Sequence, residues 1–236
     1  MNETAKGYLP KRLLDLYSLL SVARVKVVKW IPKYDEDRLM TAHNCDFMKD
    51  SHFIRCYDLS AKLGLIASKT NRWSTYIACW AADRAKHLDG DFVECGVNTG
   101  FLSRTVMEYI DFKNFPKKFY LIDANAGTSD ASRYEQAKST FREFDNVSIA
   151  KGTIPEVFSD VTPTRVSYLS IDLNSIASEI TAAEYFWDKL VSGAMVILNN
   201  HGRSGGEDKH GFDEFAKRKK VPLLCLPTGQ GLLLKS

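Results

Sequence analysis

The hydrophobic pattern changes character near residue 91. Upstream, two helical segments are predicted near 51–69 and 71–87, preceded by a polar, acidic stretch at 33–50 that reads as a loop. Downstream, short apolar runs alternate with helical spacing. The strands are predicted at 92–95, 119–123, 147–150, 166–172, 194–199, 223–226 and 231–234. The helices between them fall near 101–110, 131–144, 179–190 and 208–219. Such alternation predicts an α/β fold with a mostly parallel sheet. Only Pro227-Thr228-Gly229-Gln230 separates the last two strands, a hairpin-type link that makes the final strand antiparallel. The predicted domain, 71–236, then carries residues 1–70 as an N-terminal helical extension.

The sheet is entered through Asp91-Phe92-Val93-Glu94-Cys95-Gly96-Val97-Asn98-Thr99-Gly100, a buried strand, an acid at its tip and a turn with glycines four apart. Leu102, Val106, Tyr109 and Ile110 then give the next helix its apolar stripe. In open α/β sheets ligands lie over the carboxyl ends of the strands. A dinucleotide site would show G-x-G-x-x-G, so that a pyrophosphate could rest on the helix N-terminus. Here the spacing is G-x-x-x-G, with Glu94 before the first glycine and Phe101 after the second. An acid at that place suits a ligand with a cation and hydroxyls, and S-adenosylmethionine (SAM) has an amino acid, a sulfonium and a ribose but no phosphate. The motif alone is also that of an ordinary strand-to-helix turn.

Composition narrows the class. The chain has 236 residues and a formal charge of +3, too small to argue for nucleic acid. Five cysteines without C-x-x-C pairing predict a reducing, cytoplasmic setting, and apolar runs broken by charge predict no transmembrane helix. Residues 11–31 are apolar but interrupted by Arg24, Lys26 and Lys29. They read as a helix packed on the domain or across a homodimer, or as an interfacial membrane helix. His43, Cys45, His52 and Cys56 match no common zinc spacing and read as scattered structural residues.

The polar residues closing the strands are the candidate site. Glu94 closes the first and Asp123, followed by Ala124, the second, where a carboxylate could accept both ribose hydroxyls. Lys151-Gly152 follow the third strand, within reach of an adenine edge. Asp172 closes the fourth and Asn199-Asn200-His201 the fifth. The cofactor set is therefore Glu94, Cys95, Gly96, Gly100, Asp123, Ala124, Lys151, Gly152 and Asp172.

Gly90-Asp91-Phe92-Val93-Glu94-Cys95-Gly96-Val97 resembles the first motif of the macrocin/mycinamicin-type sugar O-methyltransferases. The resemblance continues through Ile122-Asp123-Ala124-Asn125-Ala126-Gly127, Ser170-Ile171-Asp172 and Ser192-Gly193-Ala194-Met195-Val196-Ile197-Leu198-Asn199-Asn200, covering roughly 71–236. It implies a Rossmann-like class I methyltransferase fold, SAM as cofactor, and a small hydroxylated acceptor such as a sugar. In that family a D-G-D segment and a D-D pair hold a magnesium ion that chelates the sugar diol. This chain has Asp172-Leu173-Asn174 and Asn199-Asn200 instead. With Asp172, Asn199 and Asn200 as the degenerate metal set, site charge falls from −3 to −1, which argues against tight magnesium.

Without a metal, a general base must take the acceptor's proton. His201 is the first candidate and Asp172 the second, as base or as the group that orients His201, although His201 reads equally as an ordinary surface histidine. The glycine-rich stretch 201–210 reads as a substrate lid or as a simple link. The leading expectation is SAM-dependent O-methylation with weak or no metal dependence. A relative that binds SAM or a metabolite without turnover is the alternative, and an NAD oxidoreductase is disfavoured by the absent G-x-G-x-x-G.

Overall fold

The computed structural model describes residues 32–65, 71–123, 131–173, 175–202 and 207–236. The 11–31 segment, the 124–127 motif with Ala124, Asn174 and the middle of the 201–210 stretch lie outside the described residues. Two compact units are present, Met1–Cys45 and Asp46–Ser236.

The smaller unit holds a hairpin where a loop is expected from sequence. Strands β1 (Tyr34–Glu36) and β2 (Leu39–Thr41) pair antiparallel, with Tyr34 opposite Thr41. Asp37 and Arg38 turn the chain with φ of 56° and 59°, the geometry of a two-residue mirror-image turn, and the Tyr34 hydroxyl donates to the Asp37 carboxylate. Strands of three residues are too short to show an alternation, and Asp-Arg is not the usual Asn-Gly signal.

The larger unit contains helices α1 (Ser51–Lys62), α2 (Arg72–Ala85), α3 (Phe101–Ile110), α4 (Ala131–Phe141), α5 (Ile176–Trp187) and α6 (Glu207–Lys219). Its strands are β3 (Asp91–Cys95), β4 (Phe119–Asp123), β5 (Val147–Lys151), β6 (Val166–Ile171), β7 (Leu190–Leu198), β8 (Leu223–Cys225) and β9 (Gly231–Leu234). They form one seven-stranded sheet in the order β5-β4-β3-β6-β7-β9-β8. The pairs from β5 to β7 are parallel, and β9 runs antiparallel to both β7 and β8, as the hairpin link predicts.

Strand alternation sorts the core onto two faces. Val93, Ile122, Leu169 and Val196 meet Phe186 of α5 and Phe212 of α6, whereas Phe92, Leu121, Tyr168 and Ile197 meet Ala82 of α2 and Met107 of α3. Glu94 therefore shares the face of Phe92 and points toward α3. Several boundaries differ from expectation, α1 ending at Lys62 rather than 69 and α4 at Phe141 rather than 144 among them. Helix α5 starts at Ile176 rather than 179, and β7 starts at Leu190 rather than 194. The extra strand residues pair Leu190 with Val166, and a register shift follows before Met195 meets Tyr168. Gly193 lies in that irregular stretch, so Ser192-Gly193 reads in sequence as a break although the strand runs through it.

Candidate active site

Strand order reverses between β3 and β6, the position at which open α/β sheets part to admit a ligand. Gly96 leaves β3 with φ of +98°, and a Cβ there would lie 2.0 Å from the Asp172 carbonyl oxygen. No side chain fits, so the turn must pass against β6 as bare backbone. The Gly96 and Val97 amides both donate to the Ile122 carbonyl, at 2.8 and 3.2 Å. Gly100 then opens α3 at φ of +82°, with a Phe141 ring carbon 2.8 Å from where its Cβ would stand.

Beside this turn is a cavity of about 130 Å³ whose wall includes Glu94, Gly96, Asn98 and Asp172 from the strand ends, with Leu65 and Asn71 opposite. The opposite wall is held in place by hydrogen bonds. Thr99 Oγ1 donates to the Leu65 carbonyl, and the Tyr57 hydroxyl of α1 donates to Asn71 Oδ1 at 3.2 Å. Glu94 is only 2% exposed, and its Oε2 has no hydrogen-bond partner among the described residues. Burial pushes its carboxyl up to about 8; the nearby Ser103 hydroxyl of α3 opposes the shift and the Asp172 carboxylate adds to it. The Ser103 and Tyr168 hydroxyl oxygens are likewise buried outside hydrogen-bond geometry. An apolar residue at the Glu94 position would leave this space without a buried acid; the carboxyl that lines it is a group that a polar ligand can satisfy.

The asparagine side chains at the second group of strand tips are engaged within the protein. Asn200 Nδ2 donates to Asp172 Oδ1 (2.9 Å), the Leu173 carbonyl (3.1 Å) and Glu179 Oε1 (3.1 Å). All three partners are oxygens, which fixes the amide's orientation. Glu179 of α5 is buried and also accepts from the Leu173 amide at 2.9 Å. Asn199 Nδ2 donates to Ser170 Oγ (3.0 Å), and Asn199 Oδ1 accepts from Gln230 Nε2 (2.9 Å). Gln230 Nε2 also donates to the Ser74 carbonyl of α2.

This arrangement does not fit a magnesium ion. At Asn200 an N–H donor faces the oxygens that a cation would need, and the Asn199 oxygen is engaged by Gln230. Among the described residues, no group of three or more His, Cys, Asp or Glu is placed to hold a metal. His52 Nε2 lies 2.8 Å from the Tyr109 carbonyl oxygen, and burial raises the Cys56 thiol to about 11.

The remaining expected residues lie away from the cavity wall. Cys95 is buried in the core on the opposite face from Glu94, so it offers a ligand only backbone, and its carbonyl already accepts from the Asp172 amide. Asp123 is buried at the end of β4, in register with Lys151, and its carbonyl accepts from Gly152 N at 3.2 Å. Lys151 is exposed, with its ammonium 5.4 Å from the Tyr134 ring centroid. His201 is 1% exposed, packs near Gly231 and Phe212, and places Nε2 3.9 Å from Asp213 Oδ1. Sequence reasoning passed over Asn71 and Glu179. Glu179 had a signal, an acid on the apolar stripe with Ala182, Ala183 and Phe186; Asn71, at a helix start, had none.

No protein-family profile matches the sequence, and no curated protein matches it either. Solved structures do. The O-methyltransferase NovP superposes with a TM-score of 0.57 at 15% identity, covering 69% of this chain and 79% of that one. An O-methyltransferase from Bacillus cereus in complex with S-adenosylhomocysteine (SAH) gives 0.55 at 12%, over 91% and 97%. The SAH-bound Podospora anserina methyltransferase PaMTH1 gives 0.53 at 12%, over 79% and 88%. The fold of this chain is that of the class I SAM-dependent methyltransferases.

Proposed function

We propose that the protein is a SAM-dependent O-methyltransferase that acts on a hydroxyl of a small metabolite without a tightly bound divalent metal. The observation that carries this reading is the buried, unpartnered Glu94 oxygen on a cavity at the strand-order reversal, framed by a glycine that admits no side chain. SAM supplies a methyl group on a positively charged sulfur. Glu94 and Asp172 offer negative charge to its cationic end, the Gly96–Gly100 turn admits it closely, and Asp123, at the next strand tip, takes the ribose hydroxyls in this reading. Methyl transfer is an in-line displacement, so the chain's main task is to hold donor and acceptor aligned.

The acceptor's proton needs a destination. Asp172 is exposed, sits on the cavity wall and is oriented by Asn200, so it takes that role in this proposal. His201, buried against Asp213, serves as a support for the end of β7. The finer assignment, macrocin-type methylation of a sugar, rests on the motifs at 90–97 and 192–200, the cytoplasmic setting on the cysteine usage and the homodimer on the apolar 11–31 segment. Residues 1–70 are proposed as an extension of the catalytic domain.

One observation favours a second reading, a protein that binds SAM without turnover: the Asn200 amide already engages Asp172. Incubation with methyl-labelled SAM and a panel of deoxysugar glycosides and catechols, with magnesium or with EDTA, separates the two. SAH formation at equal rates in both conditions is expected. SAM binding without SAH formation across the panel would favour the passive binder, and a rate abolished by EDTA would overturn metal independence.

A further inference from the structure

Burial and the Asp172 carboxylate disfavour a negative charge on Glu94, and only the Ser103 hydroxyl favours one. On its own strand the neighbour is the Cys95 thiol, whose ionisation Glu94 itself opposes. From β6 come the Tyr168 hydroxyl and, just past the strand end, the Asp172 carboxylate; from α3 comes the Ser103 hydroxyl. No cationic side chain acts on it among the described residues. A carboxylate in this position is buried beside a second carboxylate with nothing positive opposite, and the same carboxyl group is far more stable neutral. Glu94 nevertheless lines a cavity large enough for a ligand's charged end, and its Oε2 has no hydrogen-bond partner among the described residues. A cation entering there would provide the missing opposite charge.

We propose that Glu94 selects a cationic ligand by proton exchange: it holds a proton when no ligand is bound and releases it to solvent as the ligand's ammonium or sulfonium takes up the place beside it. This rests on the cofactor reading above. The only bond broken is the carboxyl O–H, and the proton goes to buffer. Burial and Asp172 hold the carboxyl near 8 before binding, so at pH 7 the group is mostly protonated. Affinity for a cationic ligand should then rise with pH up to about 8 and level off above it. An uncharged ligand gains nothing from the exchange.

The test is calorimetric titration of the full chain with SAM, SAH and adenosine at pH 7 in phosphate and in Tris. The difference in apparent heat between buffers counts protons. SAM is expected to release close to one proton, adenosine none, and the SAM affinity to tighten by up to about tenfold per pH unit between 6 and 8. Release with SAH as well assigns the effect to the ammonium, and release with SAM alone to the sulfonium. Glu94→Gln should still fold, since it keeps the side chain's shape, and should lose both the proton release and the pH dependence. Zero proton release by the wild type with SAM bound would overturn the proposal and leave the methyltransferase reading standing, as would equal release by wild type and variant. Absence of SAM binding from pH 6 to 9 would remove the cofactor reading and the proposal together.

Discussion

The two sets of strand tips differ in how their polar atoms are satisfied. At the β6–β7–β9 end, Asn199, Asn200, Glu179 and Gln230 bond one another and the nearby backbone. At the β3–α3 end, Glu94 and Ser103, with Tyr168 of β6 beside them, carry buried polar atoms that meet no hydrogen-bond partner among the described residues. In sequence the Asn199-Asn200 pair and Glu94 look alike, polar residues closing apolar strands. The first behaves as a clamp that holds the sheet together, and the second as a site kept open at a cost in stability.

The largest effect is expected where the two sets touch. Gly96→Ala would drive a Cβ against the Asp172 carbonyl, and because both neighbours are backbone it should lower stability by about 3 kcal/mol or more. A thermal melt unchanged from wild type would show that the turn can part from β6. Next is Glu94→Gln, read as stability against pH without ligand. The folded-state carboxyl sits at about 8, above its ordinary value of 4.5, so the folded chain holds a proton that the unfolded chain gives up between those values. Wild-type stability should therefore fall as pH rises through that window, by roughly 1 kcal/mol per pH unit, and the variant's should not. Parallel urea curves for the two proteins from pH 5 to pH 9 would erase the difference drawn between the two ends. The smallest of the three is Asn199→Asp, which removes the donor to Ser170 and adds a buried charge while keeping the acceptor for Gln230. It should cost about 2–3 kcal/mol and gain no magnesium affinity, measured by urea unfolding with and without the ion. A magnesium-dependent recovery would mean the clamp is a metal site after all.

The sheet was legible because its signals are local. Alternating apolar runs gave β3 to β7, and the four-residue link before β9 gave the antiparallel end. The 34–41 hairpin was not, since three-residue strands around Asp37-Arg38 lack periodicity and the usual turn residues. At the site, Glu94, Gly96 and Asp172 were readable from their places at strand tips, and the structure brings all three to one cavity. The fate of the asparagines was not readable. Sequence compares Asn199 and Asn200 with aspartates one residue at a time, whereas their roles are set by Gln230 and Glu179, which lie 31 and 21 positions away. His201 illustrates the same limit: its chemistry suggested a base, but the packing of Phe212 and the approach of Gly231 decide its exposure.

The Gln230 amide also links α2 to the tip of β7, bonding the Ser74 carbonyl 156 positions upstream in sequence. During synthesis the chain therefore passes through lengths at which β7 has emerged but Gln230 is still inside the ribosome. At those lengths Asn199 has its strand but not its partner. The sheet's centre is built before the bond that ties it to α2, so order of emergence becomes part of how this site is assembled.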